Sequence, residues 1–256
     1  MTGLQNCAAS RRRMLNRLYA RCNDRQFVHP DPLEFLYRYP ELADREIAGL
    51  VASSLAYGRV AQILQSVAAV LARMPQPRRY VCDAARKEIH LDFRQFRHRF
   101  TSGAEMAALL CSMGRLLRER GSIEEAFADS CDDADVRPAL SRFIDALGDR
   151  DAFPSLIPDP RRGSALKRLN LYLRWMVRTD NVDPGGWTAI QPHQLIVPLD
   201  THLHRTALTL GLTSRPGADM WTAVEITRSL SACCPQDPVR YDFALTRPGI
   251  WKTAGG

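Results

Sequence analysis

Long apolar runs are absent from this sequence. No stretch approaches the roughly 18 apolar residues that a membrane-spanning helix needs. Arg11, Arg12 and Arg13 near the N-terminus are not followed by the apolar core of a signal peptide. These absences argue against a membrane protein and against a secreted one. We therefore expect a cytoplasmic protein with no membrane partner.

Closely spaced cysteine pairs are absent as well. The chain has seven cysteines, and none of them belongs to a C-x-x-C pair. The spacing therefore signals neither a zinc site nor an iron–sulfur cluster. The odd number and the scattered positions are typical of reduced thiols. We expect no bound metal and no cofactor.

Strand patterns are also missing. We find no run of alternating apolar and polar residues, no Asn-Gly hairpin turn, no strand–helix repeat and no internal repeat. A parallel sheet, a barrel and a solenoid are therefore disfavoured.

Apolar residues recur instead at helical spacing, often with Ser-x-x-Glu capping boxes and glycine stops. Helices are predicted over 44–55, 60–71, 102–121, from 122 onward, 165–178, 201–210, 217–231 and 238–245. The expected fold class is all-α.

Lysine is scarce, although the chain is basic. The formal net charge is +7, and only three of the 35 basic residues are lysines: Lys87, Lys167 and Lys252. A basic chain favours a polyanionic partner, and arginine suits bidentate phosphate contacts. The alternative explanation is a genomic bias toward arginine codons. Lysine, unlike arginine, can lose its proton in a protein, so each retained lysine is a candidate for chemistry.

One predicted helix, 165–178, lies between two proline-rich segments, 154–163 and 183–198. Irregular loops on a rigid scaffold often carry function. On a helical wheel at ~100° per residue, Arg174 and Arg178 fall about 20° to either side of Lys167, opposite an apolar face. The stripe is a candidate phosphate track, and the alternative is an ordinary solvated face.

Asp200 precedes another predicted helix and occupies the position of its N-cap. A carboxylate fixed there could also stabilise the positive charge that develops on a sugar when a glycosidic bond breaks. The structural and the functional interpretation of Asp200 are compatible.

The residues around Asp200 carry a specific resemblance. Leu199-Asp200-Thr201-His202-Leu203-His204-Arg205 resembles the Val/Leu-Asp-x-His-x-x-Arg signature of the helix-hairpin-helix–Gly/Pro/Asp DNA glycosylase superfamily. Upstream, Gly163-Ser164-Ala165-Leu166-Lys167 has the glycine-to-lysine spacing of the bifunctional members. The chain is similar in particular to a bacterial family within that superfamily, through 173–178, 182–187, 198–202 and 237–245 and more weakly through 56–59.

This chain departs from the superfamily pattern at three points. Ala165 replaces the second glycine of the hairpin, the segment 183–198 is inserted, and the terminal cysteine cluster of the iron–sulfur members is absent.

The resemblance implies a two-lobed fold with a cleft between the lobes and no iron–sulfur cluster. Residues 1–43 and 200–256 would form one lobe, and residues 44–199 the other. The implied partner is double-stranded, lesion-containing DNA with the damaged base flipped out, bound by a monomer.

The resemblance also implies residue roles. Lys167 would attack the sugar C1′, forming a Schiff base that permits strand cleavage, and Asp200 would stabilise the sugar cation. The implied DNA-binding residues are Tyr57, Arg59, Arg161, Arg162, Gly163, Ser164, Arg174, Arg178 and Arg205. The implied base-pocket residues are Trp175, Trp187 and His202, and the alternative for the two tryptophans is the core.

Three other functions stay open. If the insertion displaces Lys167, Asp200 could activate water, which would give a monofunctional glycosylase. His202 and His204, with Asp200 and His193, could hold a hydrolytic metal, but the two histidines diverge by ~200° on a helix. The third alternative is a glycosylase scaffold that binds nucleic acid without catalysis.

Overall fold

A computed structural model of the chain describes residues 2–128, 134–160 and 163–247. This part of the chain is predominantly helical, so the all-α prediction is confirmed. The helices are α1 Thr2–Cys22, α2 Leu42–Ser54, α3 Val60–Leu71, α4 Pro77–Asp83, α5 Arg86–Phe93, α6 Gly103–Arg120, α7 Ile123–Ala128, α8 Arg137–Ala146, α9 Lys167–Val177, α10 Thr201–Thr209 and α11 Met220–Ser231. None of the helices in the described ranges is long and apolar enough to cross a bilayer.

Short elements connect these helices. The described ranges contain 3-10 helices at Arg25–Phe27, Pro32–Arg38, Arg150–Ala152, Pro192–Gln194 and Pro238–Tyr241, and helical backbone continues over 242–247. Strands β1 Arg97–His98 and β2 Thr101–Ser102 form an antiparallel hairpin. This hairpin was not predicted, because two residues per strand are too few for a recognisable alternation.

Local capping signals placed several helix boundaries correctly. The Ser102 side chain accepts a hydrogen bond from the Glu105 backbone amide, and Gly121 ends α6 with a positive φ of 86°. The helix predicted from Ala165 begins two residues later, because Leu166 adopts the left-handed conformation at φ 48°. The helix predicted from Gly217 begins at Met220, with Asp219 as its N-cap.

Helix α2 lies at the centre of the fold, and each of its residues from Glu46 to Ser54 is buried. It packs against α9, α4 and the 3-10 helix Pro32–Arg38. A helix covered on all sides need not show a single apolar stripe. The position of α9 in the fold is therefore set by α2.

The two ends of the described chain pack together. Helix α1 contacts the 3-10 helix Pro238–Tyr241, which in turn packs on α11. The Tyr241 hydroxyl donates a hydrogen bond to Asn16 Oδ1 at 2.7 Å, and the Tyr19 hydroxyl donates one to Asp180 Oδ2 at 2.9 Å. These contacts join α1 to the segments that follow α9.

Close packing of α6 on α4 generates a prediction. A Cβ atom built at Gly114 would lie 1.9 Å from the Val81 carbonyl oxygen. Alanine would favour the helix itself by about 1 kcal/mol, but overpacking costs about 1–3 kcal/mol, and α4 would have to shift. We expect Gly114→Ala to lower the free energy of unfolding by about 1–2 kcal/mol in a denaturant titration. Partly exposed Ser112 on the same helix provides the control, Ser112→Ala; a more stable Gly114→Ala protein would contradict the prediction.

Candidate active site

Lys167 is the first residue of α9, and the segment before it is held in place. The backbone amide of Leu166 donates to Ser164 Oγ at 3.2 Å, and Ser164 forms an isolated antiparallel bridge with Asp219 at the start of α11. The left-handed turn at Leu166 then directs the chain into the helix. Lys167 therefore projects from a fixed point at the start of α9.

Asp200 is the N-cap of α10, as predicted. Its Oδ1 accepts hydrogen bonds from the backbone amides of His202 at 2.9 Å and Leu203 at 2.8 Å. Capping uses one carboxylate oxygen, and Oδ2 lies 3.4 Å from Lys167 Nζ. The side chains of Lys167 and Asp200 are 36% and 26% exposed. The lysine and the carboxylate thus meet where solvent and a ligand can reach both.

This pair opens into a cleft of about 270 Å³. The cleft is lined by segments from five parts of the chain: Pro30–Pro32, Ala56–Gly58 with Val60 and Ile63, Lys167 with Leu171 and Arg174, Pro198 with Asp200 and His202, and Asp242 with Thr246 and Arg247. Apolar side chains such as Val60, Ile63 and Leu171 form part of its walls, and four of the five segments also contribute charged side chains. A cleft of this size is slightly smaller than a typical drug-sized pocket, so it suits one small group rather than an extended ligand.

Buried ion pairs contribute to the cleft lining. Asp242 Oδ2 accepts a hydrogen bond from Arg174 Nη1 at 2.5 Å, and Arg247 pairs with Asp31. Asp242 Oδ1 is buried without a hydrogen-bond partner among the described residues. Burial raises the pKa of Asp242 to about 6, against the opposing effect of Arg174. A buried acceptor in a residue of the cleft lining is therefore left unsatisfied, which costs free energy.

The prediction that Arg174 and Arg178 belong to a solvent-facing basic stripe is wrong. Both side chains are only 3% exposed. Asp183, which is fully buried, accepts hydrogen bonds from Arg174 and pairs with Arg178. Arg178 also pairs with Asp180 and Asp237. The helical wheel could not show that the following loop and the C-terminal segment cover this face of α9, so these arginines do not form a phosphate track.

The base-pocket prediction is wrong for Trp175 and Trp187, which belong to the core. Trp175 is fully buried. Trp187 Nε1 donates to Glu46 Oε1 at 2.8 Å, and its ring lies against Phe127 and Tyr172. Neither indole can stack on a base in the cleft, because both are enclosed by protein. His202, by contrast, is exposed and lines the cleft.

The other predicted DNA-binding residues occupy different places. Tyr57 lines the cleft, and Arg59 is exposed immediately before α3. Gly163 is exposed, and Ser164 is partly exposed, beside the start of α9. Arg205 is exposed on α10. Arg161 and Arg162 lie outside the described residues.

Arg168 supports the cleft residue Tyr57, a role that the sequence did not predict. Its Nη1 donates to the backbone carbonyl oxygens of Ser54 at 2.6 Å and Ser155 at 2.7 Å. Its guanidinium carbon lies 5.0 Å from the centroid of the Tyr57 ring. Nothing in the local sequence distinguishes this arginine from its neighbours, because its partners lie far away along the chain.

The paired histidines do not form a metal centre with their neighbours. His204 Nε2 contacts the Arg215 carbonyl oxygen at 2.9 Å, whereas His202 lines the cleft. Within the described ranges, no cluster of three or more His, Cys, Asp or Glu side chains could hold a metal ion.

These features define an all-helical protein with a lysine–aspartate pair at a narrow cleft. The chain belongs to the family described as protein of unknown function DUF2400, whose model matches residues 31–251. The match includes the cleft residues Tyr57, Lys167, Asp200 and Asp242. No curated protein and no solved structure matches the chain.

The burial of Arg178 predicts a structural role. Arg178→Ala leaves Asp183 with one charged partner fewer in a water-free environment, and breaking such a pair costs about 3–5 kcal/mol. We expect a loss of that size in the free energy of unfolding, measured by denaturant titration. Exposed Arg205 provides the matched control, and Arg205→Ala should change stability by less than about 0.5 kcal/mol. Equal stability of the two variants would contradict the burial of Arg178.

The raised pKa of Asp242 predicts that the stability of the protein depends on pH. Its pKa is about 6 in the folded protein, above the ordinary value of 3.8, so the folded state takes up a proton as the pH falls through 6. This uptake favours folding at lower pH. Relative to Asp242→Asn, which cannot titrate, the wild type should gain about 1 kcal/mol of unfolding free energy between pH 7.5 and pH 5. Parallel pH profiles of the two proteins would count against a raised pKa.

Proposed function

We propose that this protein is a DNA glycosylase of the helix-hairpin-helix type that removes a damaged base and has an associated AP lyase activity. The observation that carries the proposal is the 3.4 Å approach of Lys167 Nζ to Asp200 Oδ2 at the mouth of the cleft. An amine and a fixed carboxylate are the two groups that this reaction needs.

Asp200 would act first. As the bond between C1′ and the base nitrogen breaks, the electron pair leaves with the base and positive charge develops on the sugar. The backbone amides of α10 hold Asp200 Oδ1, so the carboxylate is already oriented toward that charge. Preorganised charges of this kind stabilise a transition state without reorganisation during the reaction.

Lys167 would then form the covalent intermediate. Its ammonium first gives a proton to water, the neutral amine then attacks C1′, a C–N bond forms, and a second N–H proton can pass to Asp200 Oδ2. The C1′–O4′ bond then breaks, O4′ takes up a proton from Asp200, and a Schiff base forms. Loss of a C2′ proton to water breaks the C3′–O bond, and the 3′ phosphate leaves with that electron pair. The sequence of steps needs no redox partner, since electrons move only within the bonds named.

The shape of the cleft supports a single flipped nucleotide as the substrate. An enzyme that acts on a base in a duplex must take that base out of the stack and into a pocket. The volume of about 270 Å³ and the apolar wall residues Ile63 and Leu171 suit a flat aromatic group.

The proposed DNA would cross the mouth of the cleft between two lobes, 44–199 and 1–43 with 200–256. The cleft lining draws residues from both of these segments, such as Ile63 and Asp242. Exposed Arg59, Gly163 and Arg205 would contact phosphate.

The direct test is borohydride trapping on duplexes that carry a panel of damaged bases. Wild-type protein should form a covalent adduct with one of them, and Lys167→Ala and Lys167→Arg should both abolish it, because neither side chain can form a Schiff base. Asp200→Asn should slow base release by about 100-fold or more while keeping the helix cap, since asparagine also caps helices well. Exposed Lys87 provides the control, and Lys87→Ala should be trapped as the wild type is.

Two outcomes would change the proposal. Base release without an adduct would indicate a monofunctional enzyme, in which Asp200 activates water. No base release from any duplex, together with salt-sensitive DNA binding, would overturn catalysis and favour a glycosylase scaffold that only binds nucleic acid.

A further inference from the structure

The turn between β1 and β2 forms the tip of the hairpin and carries an exposed aromatic residue, Phe100. Its side chain is 67% exposed, the highest value among the large apolar residues that the structure describes. Leaving a phenylalanine in water forgoes the stabilisation that burial of its ring would bring. Phe100 also lies beside Tyr57, which lines the cleft.

The hairpin is rigidly attached although its tip is exposed. His98 and Thr101, on either side of the tip, are fully buried. His98 Nε2 donates to the Tyr57 carbonyl oxygen at 3.0 Å, and its Nδ1 lies 2.8 Å from Ser66 Oγ. The Tyr57 hydroxyl donates back to the His98 carbonyl oxygen at 3.0 Å. The tip is therefore held against the loop between α2 and α3.

Aromatic rings and guanidinium groups alternate at this tip. The Phe100 ring stacks on Tyr57, with centroids 5.7 Å apart and an interplanar angle of 12°. The guanidinium carbon of Arg99 lies 5.0 Å from the Phe100 centroid and 5.9 Å from the Tyr57 centroid. Arg168 lies 5.0 Å from the Tyr57 centroid. One side of Phe100 is thus supported by Tyr57, and much of the ring stays open to solvent.

Arg99 connects the tip to the rim of the cleft. Its backbone adopts a left-handed conformation at φ 54°. A Cβ atom built at Gly58, a cleft-lining residue, would lie 2.8 Å from Arg99 Cδ. The Arg99 side chain therefore lies directly on the loop that forms part of the cleft wall.

We propose that Phe100 is a nucleobase-stacking residue, whose open face receives a base of the strand that enters the cleft. A single flat ring flanked by cations suits a nucleobase and its phosphate better than a protein partner, which would need a broader apolar area. Stacking is sequence-tolerant, because every base presents a π-face. The assignment rests on the proposed function only in taking nucleic acid as the ligand.

The test measures binding, with labelled duplexes that carry a stable abasic analogue and with matched intact duplexes. Phe100→Ala should weaken binding of the abasic duplex by about 5- to 150-fold, the range for loss of one base–aromatic stack, whereas Phe100→Trp should keep the affinity. The salt dependence should stay as in the wild type, because stacking releases no counterions. The control is Leu91→Ala, which removes another exposed apolar side chain on α5 and should leave binding unchanged.

A 2-aminopurine base beside the abasic site gives a second readout. Stacking on Phe100 should change its fluorescence on binding of wild-type protein and not of Phe100→Ala. If Phe100→Ala bound with wild-type affinity and produced the same fluorescence change as the wild type, the assignment would be overturned.

The outcomes separate this assignment from the glycosylase proposal. If binding depends on Phe100 but no base is released, the stacking assignment stands and the catalytic proposal is overturned. If the wild type and Phe100→Ala both release the base and bind DNA with equal affinity, only the stacking assignment is overturned. Failure of the wild-type protein to bind any nucleic acid would overturn both.

Discussion

Arg174 lies in the interior of the protein with two carboxylates, Asp183 and Asp242, as its partners. A buried guanidinium costs several kcal/mol unless it is paired and hydrogen-bonded. The pairing is possible only if α9, the loop that follows it and the C-terminal segment meet at one place. Because Lys167 lies two turns before Arg174 on the same helix, this constraint also fixes where the lysine emerges. The interior ion pairs and the partly exposed lysine–aspartate pair are parts of one arrangement.

The cleft combines features that a protein interior ordinarily avoids. Asp200 satisfies the first amides of α10 with one oxygen and presents the other to Lys167. Asp242 keeps an oxygen without a partner, and its pKa is raised by burial. Stability would favour an apolar residue or a complete hydrogen-bond network at such a position. Perturbed and unsatisfied groups in a cleft are typical of sites that bind a ligand.

Net charge alone does not locate the proposed nucleic-acid contacts. The chain carries a formal charge of +7, yet Arg174, Arg178 and Arg247 are used inside the fold. The arginines that remain at the surface near the cleft, such as Arg59 and Arg205, are the ones available to phosphate. Binding near the cleft would therefore depend on a few exposed cations and on the Phe100 tip, rather than on a continuous basic stripe along α9.

The sequence by itself determined what is local. Helical periodicity predicted α2, α3, α6, α10 and α11, and capping rules placed Ser102, Gly121 and Asp200 correctly, because these signals act over one or two turns. The tertiary structure alone decided which face of α9 is covered, since Asp183 and Asp242 reach Arg174 through the folding of distant segments. It likewise placed Trp175 and Trp187 in the core and Phe100 at the rim of the cleft. Periodicity identifies a face of a helix, but only long-range packing decides whether protein or solvent lies against that face.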